Sequence, residues 1–564
     1  MTNDDDMAPL VGDERGVSTD RGRVPWDEHT DVLVVGFGAA GASAAIEARG
    51  RGVDTLVVDR FAGGGASARS AGVVYFGGGT RLQQASGWED SPEAMYDYLR
   101  LETEDAVSEA TLRAYCERSV ETFDWLSDFG VPFPASGEAL KTSYPPDHCT
   151  LYFSGNELCP PYSDAATPAP RGHRALGSGL TGHLIFKGLR RGALDAGARL
   201  QTHTKAERLV VDDAGRVIGA ELRVMGDRRA SRVLHDAGEY AVSYGGAFSE
   251  TATRVAATQL EGWESSRGRR MLVRARGGVV LAAGGFVFNP EMMRTHAPEY
   301  ADCSMRLGTA GDDGLGIRLG RAVGGAVDRM DRCCAWRFIN PPTAWVRGIL
   351  VGPSGARICN EELYGSKIGE YLALEHGGRG YLLLDAPTME ASRKQLRSET
   401  MGGFQLVFGA ANDYFNFKKA DTLGALARKT GIDRDVLLET VATYNDGVAA
   451  GVDAMGKSAD SLAPVRRGPF YAVNCDLDTV KFPTPCITLG GLVVDGVSAR
   501  VVREDGGDPI EGLYAAGRNA VGVSSHSYVS GLSVSDGIFS GRNAGVDAGG
   551  RVHARPVQRP EVTA

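Results

Sequence analysis

Several features that often reveal the class of a protein are missing from this 564-residue sequence. No apolar stretch reaches the roughly 18–20 residues needed to span a bilayer, because the best run, 277–287, is short and interrupted by glycine. The nine cysteines are scattered, with no CxxC pair and no metal-finger spacing. We therefore predict a chain without a membrane span or metal site, whose thiols are reduced as in a cytoplasmic protein.

An excess of positive charge is also missing. The 61 lysines and arginines are outnumbered by 71 acidic residues, which gives a formal net charge of -10. This balance argues against nucleic acid or an anionic membrane as the main partner. The start, MTNDDDMAPL, lacks the basic and apolar segments of a secretory signal. We expect a cytoplasmic protein with a flexible tail at residues 1–28 and a disordered tail at 550–564.

Glycine, in contrast, is abundant, and many of the 76 glycines gather in runs such as GFGAAG and GGGASARSAG. Such runs are expected where the backbone must approach a bulky ligand closely. The first run follows a strand-like segment, DVLVVG, and precedes a helix-like segment and a second strand, VDTLVVD. This order predicts a βαβ unit with a buried parallel sheet.

The turn between the first strand and the helix carries Gly36, Gly38 and Gly41 in the pattern GxGxxG. The first glycine allows a tight turn, the second allows the backbone to reach a pyrophosphate, and the third allows the helix to pack on the strand. The helix N-terminus then presents unpaired N–H groups to the phosphates. Asp59 ends the second strand, where a carboxylate can accept a hydrogen bond from a ribose hydroxyl. The segment therefore predicts a dinucleotide site that disfavours NADP.

Two further segments favour FAD over NAD. The glycine-rich loop 63–72 follows the second strand directly and can wrap a diphosphate, which a simple NAD dehydrogenase does not need. Near the C-terminus, GLYAAGRN precedes a predicted helix at 530–545, whose N-terminus can point at the flavin. The predicted FAD contacts are Gly36, Gly38, Ala40, Gly41, Asp59, Arg60, Gly65, Ala66, Ser67, Ala71, Gly72, Ala283, Gly284, Gly517, Arg518, Ser533 and Val534.

These motifs, together with PAPRGH, NEELYGSKIG and the YVSG region, resemble those of the fumarate-reductase/succinate-dehydrogenase flavoprotein superfamily. Within it the sequence resembles the FAD-dependent 3-ketosteroid dehydrogenases, particularly the Δ4(5α) type. The resemblance implies an α/β fold with a discontinuous Rossmann-like FAD-binding domain, 29–300 and 484–549, and an inserted α+β catalytic cap domain, 301–483. It also implies non-covalent FAD, because the loop at 67–70 lacks the histidine that tethers FAD in some members.

The same resemblance assigns three catalytic residues. Tyr364 in NEELYGSK takes the place of the group that removes a proton, Ser530 in YVSG that of the relay, and Tyr528 that of the donor to the ketone oxygen. Dehydrogenation beside a ketone requires a proton acceptor, a hydride acceptor and stabilisation of the carbonyl oxygen. The implied partners are a hydrophobic, steroid-like ketone and an external electron acceptor.

Alternatives remain open at this point. The substrate class also admits a 3-ketosteroid Δ1-dehydrogenase or a desaturase of another cyclic ketone. A different class is a fumarate-reductase-like alkene reductase, although Tyr528 stands where those enzymes place a clamp arginine. A third class is a partner-dependent flavoprotein subunit, because the polar stretch 226–270 departs from the family and shows no strong pattern. We interpret that stretch as a surface excursion.

Overall fold

The computed structural model describes residues 7–20, 22–135, 139–226, 229–245, 250–397, 412 and 415–554. The strands are β1 (Leu10–Asp13), β2 (Gly16–Thr19), β3 (Gly22–Val24), β4 (Glu28–Val35), β5 (Thr55–Val58), β6 (Val73–Tyr75), β7 (Leu140–Lys141), β8 (Leu151–Phe153), β9 (Gly172–Arg174), β10 (Arg199–Gln201), β11 (Thr204–Val211), β12 (Val217–Val224), β13 (Arg269–Leu281), β14 (Met305–Arg306), β15 (Val327–Asp328), β16 (Cys333–Ala335), β17 (Ile349–Val351), β18 (Tyr381–Leu384), β19 (Phe417–Ala420), β20 (Phe470–Asn474), β21 (Pro485–Thr488), β22 (Gly491–Leu492) and β23 (Leu513–Ala515).

The helices are α1 (Ala39–Gly50), α2 (Gly65–Arg69), α3 (Arg81–Ala85), α4 (Pro92–Thr103), α5 (Glu109–Glu117), α6 (Ser119–Asp128), α7 (Tyr162–Ala165), α8 (Gly182–Asp195), α9 (Arg229–Gly245), α10 (Glu250–Arg267), α11 (Pro290–His296), α12 (Leu315–Ala322), α13 (Gly365–Glu375), α14 (Ala386–Leu396), α15 (Leu423–Thr430), α16 (Arg434–Ala450) and α17 (Leu532–Ala554). Short 3-10 turns lie at Pro298–Tyr300, Thr343–Arg347, Ala459–Ser461 and Gly517–Asn519. This mixture confirms the predicted α/β class.

The largest sheet of the described chain has the strand order β10-β5-β4-β13-β12-β11-β1-β2-β3, and β23 pairs with β13. Strands β4 and β5 run parallel, with Val32 opposite Thr55 and Val35 opposite Val58. Their apolar side chains are almost completely buried because helices cover the sheet. The predicted βαβ unit is therefore present, with α1 as its crossover helix.

Helices α1 and α17 pack on each other through small residues. A Cβ atom on Gly541 would lie 2.2 Å from the carbonyl oxygen of Ala40, and one on Gly545 would lie 2.3 Å from that of Ala44. Only glycine allows such backbone contact. The packing brings the N-termini of both helices to the same side of the sheet, where the candidate site lies.

The prediction of a flexible tail at residues 1–28 is wrong for its described part. Strand β1 pairs in parallel with β11, and β2 and β3 extend the sheet. Val17 and Trp26 are buried against Val210, and the Trp26 indole donates a hydrogen bond to the Asp13 carbonyl at 2.9 Å. The long-range pairing partner overrides the polar composition of this segment.

At the other end of the chain, α17 continues to Ala554, which is beyond the predicted start of the C-terminal tail at residue 550. Residues 555–564 of that tail lie outside the described part of the chain.

The stretch 226–270 also differs from its interpretation, because it contains the helices α9 and α10, which pack on each other as an inserted helix pair. The buried faces include His235, Glu239 and Val242 from α9 and Leu260 and Glu264 from α10. The spacing of these residues is helical, but charged and apolar side chains alternate on the buried face. The periodicity of hydrophobic residues alone therefore does not reveal these two helices.

The segment predicted as a cap contains an antiparallel sheet of its own, with the order β17-β18-β20-β19. One face of this sheet packs against a core around Trp345, Ile368 and Leu372, and the other packs against α15 and α16. Within the described residues, we find no helix that combines the length and the apolar character needed to cross a membrane. All nine cysteines are free thiols.

His173, on β9, leads us to predict that the stability of the fold depends on pH. Its Nε2 lies 2.8 Å from the Thr80 hydroxyl and its Nδ1 2.9 Å from the Arg171 carbonyl oxygen, so the neutral ring uses both nitrogens. Burial lowers the pKa of His173 to about 4. Between pH 6.5 and 4 the unfolded chain therefore binds the proton more readily, and we expect about 3 kcal/mol of stability to be lost as the pH falls.

Urea denaturation midpoints measured across this pH window check the expectation. His173→Gln should show a smaller loss on acidification than the wild type, whereas the same change at the exposed His183 should not. Equal pH dependence in all three proteins would contradict it.

Candidate functional site

One cavity of about 1400 Å³ lies between the large sheet and the segment predicted as a cap. Its sheet side is formed by the loops after β4 and β5 and by the start of α17, and its other side includes Trp336, Tyr364 and Phe482. Typical small-ligand sites occupy roughly 300–1,000 Å³. The cavity therefore has room for a large cofactor together with a second molecule.

The turn between β4 and α1 has the features of a phosphate cradle. Gly36 has a left-handed φ of +101°, and its Cβ would lie 2.4 Å from the Ala282 carbonyl oxygen. Gly38 is the N-cap of α1, with no side-chain cap and no acidic residue in the first turn. The Ala39 N–H donates to the Ser67 hydroxyl at 3.0 Å, and the N–H groups that follow it in the first turn of α1 face the place of an external anion. These residues fit the pyrophosphate of FAD.

Asp59 and Arg60 follow β5 at the edge of the cavity. The Asp59 carboxylate accepts the backbone N–H groups of Phe37 and Phe61, both at 2.8 Å. Burial raises the pKa of Asp59, and these N–H groups oppose the rise. The Arg60 guanidinium is paired with Glu264 and Asp313, each at 2.8 Å, so its charge is directed away from a ligand.

The structure brings together most of the predicted FAD contacts. Those that line the cavity are Gly36, Gly38, Ala40, Asp59, Arg60, Gly65, Ala66, Ser67, Ala71, Ala283, Gly284, Gly517, Arg518, Ser533 and Val534. Two others lie behind its wall: Gly41 packs against the Gly36 carbonyl, and Gly72 against Thr181. These two glycines shape the cradle from behind.

Tyr364, Tyr528 and Ser530 all line the same cavity. The Trp336 indole donates a hydrogen bond to the Tyr364 hydroxyl at 2.8 Å. The ring of Trp336 also contacts that of Tyr528 edge to face, with centroids 5.0 Å apart. Trp336 therefore fixes the two phenols relative to each other, a role that sequence reasoning did not assign.

A second residue that sequence reasoning missed is Tyr152, on β8. Its hydroxyl donates to the Ser530 hydroxyl at 3.1 Å, and the Ser530 N–H donates to the Ser154 carbonyl at 3.1 Å. Burial raises the pKa of Tyr364 well above its ordinary value, and a hydrogen bond with the Ser530 side chain lowers it. Ser530 thus connects Tyr152 with Tyr364. The motif LYFSGNE carries Tyr152, but a tyrosine inside a strand is typical of a core residue.

The Tyr528 hydroxyl lies beside the start of α17. Burial raises its pKa, whereas hydrogen bonds from the backbone N–H groups of Gly531 and Ser533 lower it. The positive end of a helix dipole therefore supports this phenol. Such a group can donate to a carbonyl oxygen on which negative charge develops.

The inserted helix pair closes over the cradle. Glu239 pairs with Arg69 of α2 at 2.6 Å, and Glu264 accepts from Arg60 and His235 at 2.8 and 2.9 Å. Burial alone would raise the pKa of Glu264, but the neighbouring Arg60, His235 and Lys205 hold it well below its usual range. The buried carboxylate joins the helix pair to the chain directly after Asp59.

Glu264→Gln is expected to weaken cofactor retention by about 10-fold, because Arg60 then keeps Asp313 but loses the more deeply buried of its two carboxylate partners. Recovery of flavin fluorescence after dilution measures the dissociation. Gln259→Ala, on the exposed face of α10, is the matched control and should release flavin at the wild-type rate. Equal release from both variants would show that the helix pair does not hold the cofactor.

Comparison with known proteins agrees with this geometry. The FAD binding domain family model matches residues 31–534. A 3-oxo-5-alpha-steroid 4-dehydrogenase of Comamonas testosteroni is 36% identical over 88% of this chain and 93% of its own length. A 3-oxosteroid 1-dehydrogenase of Mycobacterium tuberculosis is 27% identical over 88% of this chain and 94% of its own.

Among solved structures, a 3-ketosteroid-delta4-(5alpha)-dehydrogenase from Rhodococcus jostii RHA1, in complex with 4-androstene-3,17-dione, matches with a TM-score of 0.77 and 31% identity. The match covers 96% of this chain and all of that one. The chain is therefore an FAD-binding oxidoreductase of the family that includes the 3-oxo-5-alpha-steroid 4-dehydrogenase of Comamonas testosteroni.

Proposed function

We propose that this protein dehydrogenates the A ring of a 3-ketosteroid and introduces the C4–C5 double bond. The observation that carries the proposal is the set of neutral hydroxyl groups, Tyr364, Tyr528 and Ser530, on the wall of the cavity that contains the FAD cradle. The 4-dehydrogenase relative is 36% identical, against 27% for the 1-dehydrogenase, which favours C4–C5 over C1–C2.

In this proposal the C3 ketone oxygen accepts a hydrogen bond from Tyr528 at the N-terminus of α17. Electron withdrawal at this oxygen acidifies the C4–H bond. FAD, when bound, supplies the hydride acceptor for the hydrogen at C5. The reaction thereby removes one proton and one hydride from adjacent carbons.

The proton at C4 goes to the Tyr364 oxygen. The Trp336 N–H can only donate a hydrogen bond. The Ser530 hydroxyl oxygen accepts from Tyr152, so the hydroxyl hydrogen of Ser530 is available to Tyr364. Both neighbours therefore donate towards Tyr364 and support its phenolate form. A phenolate at this position can accept the proton directly.

A fumarate-reductase-like activity is the principal alternative. That chemistry requires arginine and histidine side chains that bind two carboxylates, but no histidine lines the described part of the cavity. The uncharged Tyr528 suits a neutral ketone better than an anion. These features support a steroid-like ketone as the substrate.

The FAD is proposed to be non-covalent, because residues 67–70 are Ser-Ala-Arg-Ser. Acid precipitation of the yellow protein should therefore leave a colourless pellet and all flavin in the supernatant. A yellow pellet would indicate a covalent bond. An external electron acceptor completes the proposed cycle, since the sequence has no CxxC pair and hence no c-type haem attachment motif.

Anaerobic titration of the purified holoprotein tests the proposed function. The flavin absorbance should be bleached by 5α-androstane-3,17-dione and not by succinate, and the product should co-elute with authentic 4-androstene-3,17-dione. Bleaching by 4-androstene-3,17-dione itself would instead support 1-dehydrogenation. Reoxidation of reduced protein by fumarate, with no bleaching by any ketosteroid, would overturn the proposal.

A further inference from the structure

We propose that Asn156 and Glu102 are positioning residues that hold Tyr364 in place across the boundary between the sheet-containing part of the molecule and the cap. Neither side chain lines the cavity. The inference rests on the proposed role of Tyr364 as the proton acceptor.

Asn156 lies in the loop after β8 and is 1% exposed. Its Oδ1 accepts the backbone N–H of Tyr364 at 2.6 Å, and its Nδ2 donates to Glu102 Oε1 at 2.7 Å. Tyr364 lies directly before α13 in the cap, whereas Asn156 follows a strand that packs near the start of α17. This amide therefore joins two parts of the chain that are 208 residues apart.

The orientation of the Asn156 amide is determined by its neighbours. The Tyr364 N–H can only donate, so it requires Oδ1, and the Glu102 carboxylate accepts, so it requires Nδ2. Tyr98 completes the arrangement, because its hydroxyl accepts a hydrogen bond from the backbone N–H of Asn156 at 2.9 Å and donates one to Glu102 Oε1 at 2.7 Å. No alternative rotation of the amide satisfies both partners.

Glu102, in the last turn of α4, is fully buried. Burial raises its pKa, and the hydrogen bonds from Tyr98 and Asn156 oppose the rise. Its backbone carbonyl accepts the N–H of Ser527 at 3.1 Å. Because Ser527 directly precedes Tyr528, Glu102 is bonded directly to the segment that carries Tyr528 and, through Asn156, to the one that carries Tyr364.

The backbone of Tyr364 is thus held from two sides. Its carbonyl oxygen accepts from the N–H groups of Lys367 and Ile368 in the first turn of α13, and its N–H is bonded to Asn156. Loss of the hydrogen bond from the Tyr364 N–H to Asn156 allows the phenol to move relative to the cofactor cradle. A misplacement of about 1 Å is enough to slow a reaction by about 100-fold.

We expect Asn156→Ala to slow flavin reduction by a 5α-ketosteroid about 10- to 100-fold, with little change in the apparent dissociation constant of the steroid and in FAD content. Asn156→Asp should be equally slow, because it brings two carboxylates together. Asn445→Ala, which removes a buried amide remote from the cavity, is the control and should reduce normally.

Stopped-flow reduction under anaerobic conditions gives the rate and the steroid affinity separately. Hydrogen exchange of the peptide 360–368 needs no substrate: it should be faster in Asn156→Ala and normal in the control Asn445→Ala. If wild-type protein is not reduced by the steroid, the proposed function fails, and hydrogen exchange still decides whether Asn156 holds this segment. Unchanged exchange in Asn156→Ala, or wild-type reduction rates in it, would overturn the positioning role.

Discussion

Tyr364→Phe is expected to slow flavin reduction by a 3-ketosteroid by about 10²–10⁴-fold while FAD stays bound. The substitution removes only the hydroxyl that receives the Trp336 N–H and lies beside Ser530. The ring remains in its buried position, so the cavity keeps its shape. Stopped-flow measurement of the bleaching of flavin absorbance gives the rate directly.

The pH dependence of the flavin reduction rate provides a second test of the role of Tyr364. Since burial raises the pKa of Tyr364, its phenolate becomes more abundant as the pH rises, and the wild-type rate should increase into the alkaline range. The residual rate of Tyr364→Phe should lack this increase. Tyr371→Phe, in α13, the helix that follows Tyr364, but outside the cavity lining, is the control. A Tyr364→Phe protein that is reduced at the wild-type rate would remove this residue from the mechanism.

Gly38→Ala is expected to weaken FAD binding by about 100-fold without unfolding the protein. Its φ of −92° is accessible to alanine, so no backbone strain arises. The added Cβ would lie 3.3 Å from Ser67 Oγ, at the N-terminus of α1 where we expect the pyrophosphate of FAD to approach. Fluorescence titration of apoprotein with FAD measures the loss.

Gly50→Ala is the matched control, because a Cβ at this last residue of α1 meets no atom within 4 Å. Gly41→Ala should behave differently from both: its Cβ would lie 1.9 Å from the Gly36 carbonyl oxygen, so we expect destabilisation of the fold. Wild-type FAD affinity in Gly38→Ala would show that the pyrophosphate does not approach this turn.

The cradle was predictable because its signals are local. The glycine motif, the strand that precedes it and the acidic residue that follows it all lie within about 30 residues, as in other βαβ units. The positions of Tyr364 and Tyr528 followed from resemblance to a family. Tyr152 and Asn156 were not assigned, because their partners, Ser530 and Tyr364, lie hundreds of residues away in sequence.

The remaining errors have a common physical origin. The first strands and the inserted helix pair are polar segments that are ordered by partners elsewhere in the chain. Glu264 is buried only because Arg60 and Lys205 compensate its charge, and β1 is a strand only because β11 lies beside it. Neither partner is visible in the local sequence, so composition predicts exposure.

The glycine-mediated contact between α1 and α17 bears on how this fold acquires new substrates. One helix begins at the phosphate cradle and the other beside Tyr528, and backbone meets backbone where they pack. Any larger residue there disturbs both ends at once, so this half of the molecule tolerates little variation. The opposite wall includes side chains such as Phe338 and Phe482 in the segment predicted as a cap. Diversification of the ring size and substituents of the substrate is therefore expected to proceed through changes in this segment, with the reactive end of the site left unaltered.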